Sequence, residues 1–217
     1  MLFAMVLAAT ITGASSPDAS PTDAHAAPLA DAIAHYQTAE TYRVTIHSIH
    51  ADGEEHILYY YKKPGFVRME FVQPHAGAVL VYSPYTQRVH LWPFSAGHFP
   101  ELELSPDNSL IQSMRGQRVD QSDVGALFEN VRTLWEGGSA GALDEENMNG
   151  HTILHFIVTG AEDFTVAGVH SYELWLDATN QFPTKIISRY QQGAVIETVF
   201  MEALEINPAL PETLFNP

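Results

Sequence analysis

The chain has 217 residues, 26 of them acidic and 10 basic, for a formal net charge of −16, and it has no cysteine. The absence of cysteine excludes a disulfide framework, a thiolate metal site and a cysteine nucleophile, and so acidic a surface is a poor match for nucleic acid or for anionic headgroups. With 46% hydrophobic and 11% aromatic residues, the composition is that of a folded chain long enough to bury its own core.

Met1 to Ala9 (MLFAMVLAA) is apolar and is followed by a stretch rich in Ser, Pro, Ala and Asp. The run is too short to span a bilayer, which takes about 20 apolar residues. It has the form of a secretory signal, with Ala24-His25-Ala26 as the stronger candidate cleavage site and Thr12-Gly13-Ala14 as the weaker. The sequence therefore predicts a signal peptide over residues 1–26, a single domain over 27–217, and export to the periplasm without stable membrane insertion.

Pro28 to Glu40 reads as a helix, with Leu29, Ile33 and Tyr36 on one face. From Thr41 the period becomes two. Asp52-Gly53 is a hairpin signal. A turn centred there pairs Ile46 with Tyr59 and Val44 with Tyr61. It places Val44, Ile46, Ile57, Tyr59 and Tyr61 on an apolar face, with Arg43, Thr45, His47 and His56 on the other. Phe66–Val72, Gly77–Tyr82 and Arg88–Trp92 follow as strands, separated by Pro64-Gly65 and Ser83-Pro84-Tyr85-Thr86. Five short strands with tight turns predict an antiparallel meander.

The middle of the chain changes character. Asp107-Asn108-Ser109 is set to cap a short helix carrying Leu110, Ile111 and Met114. Asp120 or Ser122 is set to cap a second, in which Val124, Leu127, Phe128, Val131 and Trp135 form an apolar stripe that Gly137-Gly138 ends. The acidic, glycine-rich segment up to Gly150 reads as loop. Strands return at His151–Val158, Ser171–Asp177, Phe182–Tyr190 and Ala194–Glu205, and the tail from Asn207 reads as extended.

No P-loop, G-x-S-x-G, H-E-x-x-H or G-x-G-x-x-G occurs, so no catalytic residue, metal or cofactor is expected. Asp120 and Asp123 read as helix-capping carboxylates. The hairpin histidines His47, His50 and His56 offer two ligands, or two plus something distant, where a metal site wants three or four, and they read as exposed or edge residues. Arg115 and Arg118 read as ion-pair partners of the nearby aspartates. The aromatic supply is more informative: Trp92-Pro93-Phe94, continuing to Phe99-Pro100, is an apolar loop balanced between a ligand rim and ordinary packing.

Tyr60-Tyr-Lys-Lys-Pro-Gly-Phe-Val-Arg-Met-Glu-Phe71, Val81-Tyr-Ser-Pro84, Gly116-Gln-Arg-Val-Asp-Gln-Ser-Asp123 and the closing Leu210-Pro-Glu-Thr-Leu-Phe215 resemble, in that order, motifs of the LolA-like superfamily of periplasmic lipoprotein carriers. The resemblance covers roughly residues 28–217. It implies a mainly β, α+β fold: a curved, open antiparallel sheet, or incomplete β-barrel, with helices over its concave side. It also implies a non-enzymatic carrier or binder of lipoprotein acyl chains or other lipids. Val44, Ile46, Ile57, Tyr59 and Tyr61 would then line the cavity, joined by Met69, Phe71, Leu80, Tyr82, Leu91 and Trp92. The helix carrying Leu127, Phe128 and Val131 would be the lid. The alternative on the same fold is an envelope-sensing module that binds a protein partner.

Overall fold

The computed structural model describes residues 21–113, 117–141, 144–148 and 150–216, and for residues 21–27 and 148 the backbone alone. Helix α1 (Pro21–Thr38) leads into six strands: β1 (Thr41–His50), β2 (Gly53–Lys62), β3 (Phe66–Gln73), β4 (Val79–Ser83), β5 (Arg88–Trp92) and β6 (Leu102–Leu104). Helix α2 (Val124–Glu136) follows a short 3₁₀ turn at Val119–Gln121. Six more strands complete the fold: β7 (Gly138–Ala140), β8 (Asp144–Met148), β9 (His151–Gly160), β10 (Ser171–Asp177), β11 (Pro183–Arg189) and β12 (Val195–Ile206).

All twelve strands belong to one antiparallel sheet, ordered β6-β5-β4-β3-β2-β1-β12-β11-β10-β9-β7, with β8 also pairing β9. The two halves of the chain meet where β1 pairs β12. The sheet stays open, with β6 at one edge and β7 and β8 sharing the other.

The hairpin register differs from the predicted one by two residues. Val44 pairs Tyr59 and Ile46 pairs Ile57, because the loop is Ala51-Asp52 and His50 pairs Gly53. The positive φ of 148° falls on Gly53, which tolerates it without a Cβ clash. A slip of two keeps the parity, so the predicted faces survive. It also makes His47 and His56 direct partners rather than diagonal neighbours, and sets Glu55 opposite Ser48 rather than His50.

One face of the sheet carries a continuous core that includes Val44, Val67, Val89, Phe156, Leu174 and Ile186 together with Leu29 and Ala32 of α1 and Phe128, Val131 and Leu134 of α2. From β5 to β9 there are eight strand steps, about 38 Å across a flat sheet, yet residues of both strands join the same cluster. The sheet is therefore strongly curved. Register shifts on β1–β12, β2–β3, β10–β11 and β11–β12 bend it. In the first of these, Ala203 takes φ 50° opposite Val44.

The outer face has a smaller cluster. Val79, Val81 and Trp92 are covered by Leu210, Leu214 and Phe215 of the tail. Arg68, buried beneath, donates from Nε to Glu70 Oε1 (2.7 Å) and from Nη1 to the Leu214 carbonyl (2.9 Å). The tail ends in a 3₁₀ turn at Glu212–Leu214, so it is a strap with a purpose rather than a plain extension.

Three predicted elements differ. No helix forms at Asp107–Gln112: the Asn108 side chain accepts from the Leu110 N–H (3.0 Å), and Gln112 donates to the Asp107 carbonyl (3.1 Å). Such local bonds favour turns over helix. The segment read as loop contains β7 and β8, held by the edge of β9. A short β6, unpredicted, extends β5. Met114 and Arg115 lie outside the described residues, as does most of the predicted signal segment.

Phe128 is 1% exposed at the centre of this core and Phe99 is 94% exposed. Phe128→Ala is expected to lower unfolding free energy by about 3–5 kcal/mol, and Phe99→Ala to change it by less than about 0.5 kcal/mol, as measured by urea titration.

Candidate functional site

The site is organised by the start of α2. Asp123 is its N-cap, and the Oδ1 atom accepts from the N–H groups of Gly125 (2.7 Å) and Ala126 (3.2 Å). The same oxygen accepts from the Tyr36 hydroxyl of α1 (2.7 Å). The Val124 N–H donates to the Tyr42 hydroxyl of β1 (3.2 Å). Ser122 Oγ donates to the Val119 carbonyl (2.7 Å), leaving it to accept from the Tyr59 hydroxyl of β2 (3.1 Å). Tyrosines from three elements thus hold one helix terminus, whose free N–H groups need partners.

Their rings are packed as well as bonded. Tyr42 stacks on Tyr61 and Tyr59, with centroids 5.0 and 5.9 Å apart, and Tyr36 meets Phe128 edge-on at 6.3 Å. Burial, reinforced by the Asp123 carboxylate, pushes the Tyr36 and Tyr59 hydroxyls far above the usual 10.0. Burial, then Tyr59, does the same to Tyr42. All three are neutral in the folded chain at physiological pH. Gly125 is where Tyr36 comes closest: a Cβ there would lie 2.5 Å from the Tyr36 ring.

Beside this anchor, between the concave sheet and the loop leading into α2, lies a cavity of about 630 Å³. This is within the range of small-molecule sites, about 300–1,000 Å³. Of the predicted residues, Ile46, Ile57, Tyr59, Met69, Phe71, Leu80, Leu91 and Leu127 line it. Val44, Tyr61, Tyr82, Phe128 and Val131 point to the same side but are buried in the core, Tyr61 against Tyr36. Trp92 is a correction. Alternation from Leu91 turns it to the outer face, under Phe215.

The opposite wall escaped the sequence reading. Tyr172, Ile186, Val199 and Met201 complete it from β10, β11 and β12. Only the β1–β12 pairing brings them there, and no local pattern encodes it. At the β1–β2 hairpin end the lining turns polar, with Ser48, Glu55, Ser188 and Glu197. Ser48 Oγ donates to Glu197 Oε1. Pro93, Leu110 and Ile111 also line the cavity, and Leu110 is 63% exposed. Phe94 and Phe99, beyond Pro93, are exposed and pack as neither core nor lining. Arg118 also lines the cavity and forms a two-point ion pair with Asp120 (2.6 and 2.9 Å).

The sequence matches no family model and no curated protein. The structure is similar to that of LprF from Mycobacterium bovis, at TM-score 0.54 and 9% identity over 89% of this chain and 98% of that one. The chain shares the fold of that protein. A similar likeness holds to an uncharacterized conserved protein from Thermus thermophilus, at TM-score 0.55 and 12% identity, covering 88% of this chain and 93% of the other. MucB, solved in a complex with MucA from Pseudomonas aeruginosa, matches at TM-score 0.54 and 14% identity over 90% of this chain, which spans 60% of MucB. At these identities the likeness is one of fold. Among the described residues no helix is long and apolar enough to cross a membrane.

Gly125→Ala is expected to cost about 1–3 kcal/mol by overpacking against Tyr36, measured by denaturant titration. Tyrosines whose hydroxyls ionise near pH 10 when unfolded are held neutral when folded, so their contribution is complete below pH 10 and is lost as pH rises beyond it. Stability measured between pH 9 and 12 should fall, and Tyr36→Phe or Tyr59→Phe should flatten that fall.

Proposed function

We propose that this protein is a non-enzymatic, exported binder or carrier of lipid-like ligands, and that the cavity between the curved sheet and α2 receives an acyl chain. The observation that carries the proposal is the cavity itself, apolar on both sheet walls and polar at the hairpin end and along the loop into α2, where Gln112, Gln117, Arg118 and Gln121 line it. An acyl chain gains about 0.8 kcal/mol per methylene removed from water, so such a pocket needs no catalytic group to bind. Leu110, which lines the cavity and is exposed, suits transfer of an apolar cargo. Glu55 and Glu197 at the polar end disfavour a free carboxylate, so acyl esters are the preferred class over fatty acids. Residues 1–26 act as the export signal in this reading.

A fluorescent 16-carbon acyl ester, titrated into delipidated protein, should bind at one site and more tightly than the free fatty acid. Each methylene removed from the chain should weaken binding by up to about fourfold. Met69→Glu, in the cavity wall, should weaken it at least about tenfold, and Tyr85→Ser, exposed and away from the cavity, should leave it unchanged. Absence of uptake, or uptake insensitive to Met69→Glu, contradicts the proposal.

A second reading rests on MucB, which is solved in complex with MucA. On that reading the chain is an envelope-sensing module with a protein partner. Capture of one envelope protein by the purified chain, undiminished by Met69→Glu and with no acyl binding, would favour it.

A further inference from the structure

On the outer face of the β1–β2 hairpin, the side of the sheet opposite the cavity, His47 and His56 sit directly across from one another. Their rings stack with centroids 4.1 Å apart and planes within 15°. Glu54, two residues along β2 and on the same face, brings its Oε2 to 3.3 Å from His47 Nε2. One donor atom from each of the three lies within 4.8 Å of the others. We propose that His47, Glu54 and His56 form a binding site for a divalent transition-metal ion of the zinc class.

The chemistry of the donors selects the metal. Two imidazoles and one carboxylate suit zinc and its neighbours, whereas magnesium and calcium take oxygen ligands. Zinc–nitrogen bonds of about 2.0–2.1 Å put tetrahedral ligands about 3.3 Å apart. The His47–Glu54 separation already meets that value. The parallel rings must splay slightly for their nitrogens to converge, and histidine's outer torsion is soft enough to allow it. Three protein ligands leave a fourth position to solvent. The site is reachable: the side chains of His47 and Glu54 are 22% and 51% exposed. The chain's charge of −16 favours a cation.

The placement has a consequence for the cavity. Alternate residues of the same two strands, Ser48, Glu55 and Ile57, face inward and line it. An ion held outside would fasten together the two strands that carry this wall.

The test is calorimetric titration of zinc chloride into the metal-stripped full-length chain. It is paired with an NMR correlation spectrum of the histidine side-chain nitrogens. One site is expected, with the His47 and His56 nitrogens shifted on loading and no competition from millimolar magnesium. His47→Ala and His56→Ala should each weaken binding at least about tenfold, and Glu54→Gln severalfold. Zinc should raise the Tm of the unaltered chain and not that of His56→Ala. Zinc binding unchanged in both histidine variants, binding that leaves those two imidazoles unshifted, or no binding would overturn the proposal. Should a variant fail to fold, the spectrum of the unaltered chain still decides.

Discussion

A single carboxylate oxygen, Asp123 Oδ1, accepts hydrogen bonds from two N–H groups of α2 and from the hydroxyl of Tyr36. It joins the two helices at one point, and Tyr42 and Tyr59 join that point to the sheet. The position of α2 over the concave face follows, and with it the shape of whatever space the helix leaves uncovered. These bonds sit buried or partly buried beside stacked rings, which shields them partly from water and strengthens them.

The cavity is a result of unequal coverage. Helix α2 has 13 residues, about 20 Å of length, and packs against α1, β7 and β9. It fills the inner face there with Phe128, Val131 and Leu134, each at most 1% exposed. Among the described residues, neither helix packs as extensively on β3 to β6 as α2 does on β7 and β9. Bulges curve them toward β10, β11 and β12 instead, and the two walls enclose a space rather than a packed core. The outer strap of Leu210, Leu214 and Phe215 covers the back of β4 and β5, and so the strands that form the cavity wall are sealed on their other side.

Much of this was legible because strand alternation is a local property. Parity alone groups Ile46, Ile57 and Tyr59 on one apolar face, and a register error of two in their hairpin cannot move them; the resemblance makes that face the cavity side and adds Met69, Phe71, Leu80 and Leu91, whose parity the sequence leaves open. Parity does not say what covers a residue, which is why Val44, Tyr61 and Tyr82 belong to the filled core. Trp92 was misassigned by its aromatic character against its parity with Leu91. The stripe of α2 was legible from its period, but not that Phe128 and Val131 would be buried and Leu127 left facing the cavity. The far wall required β1 to find β12 across more than half of the chain, and the absent helix at Asp107 turned on side-chain bonds competing with the backbone.

The central claim, that the space between α2 and the sheet is a lipid site, is tested most directly by native mass spectrometry of the chain purified from an envelope fraction without detergent. The expected result is a population heavier than the bare chain by the mass of an acylated molecule, released on mild organic extraction and diminished in Met69→Glu. A bare chain alone, or an adduct retained undiminished in Met69→Glu, would contradict it.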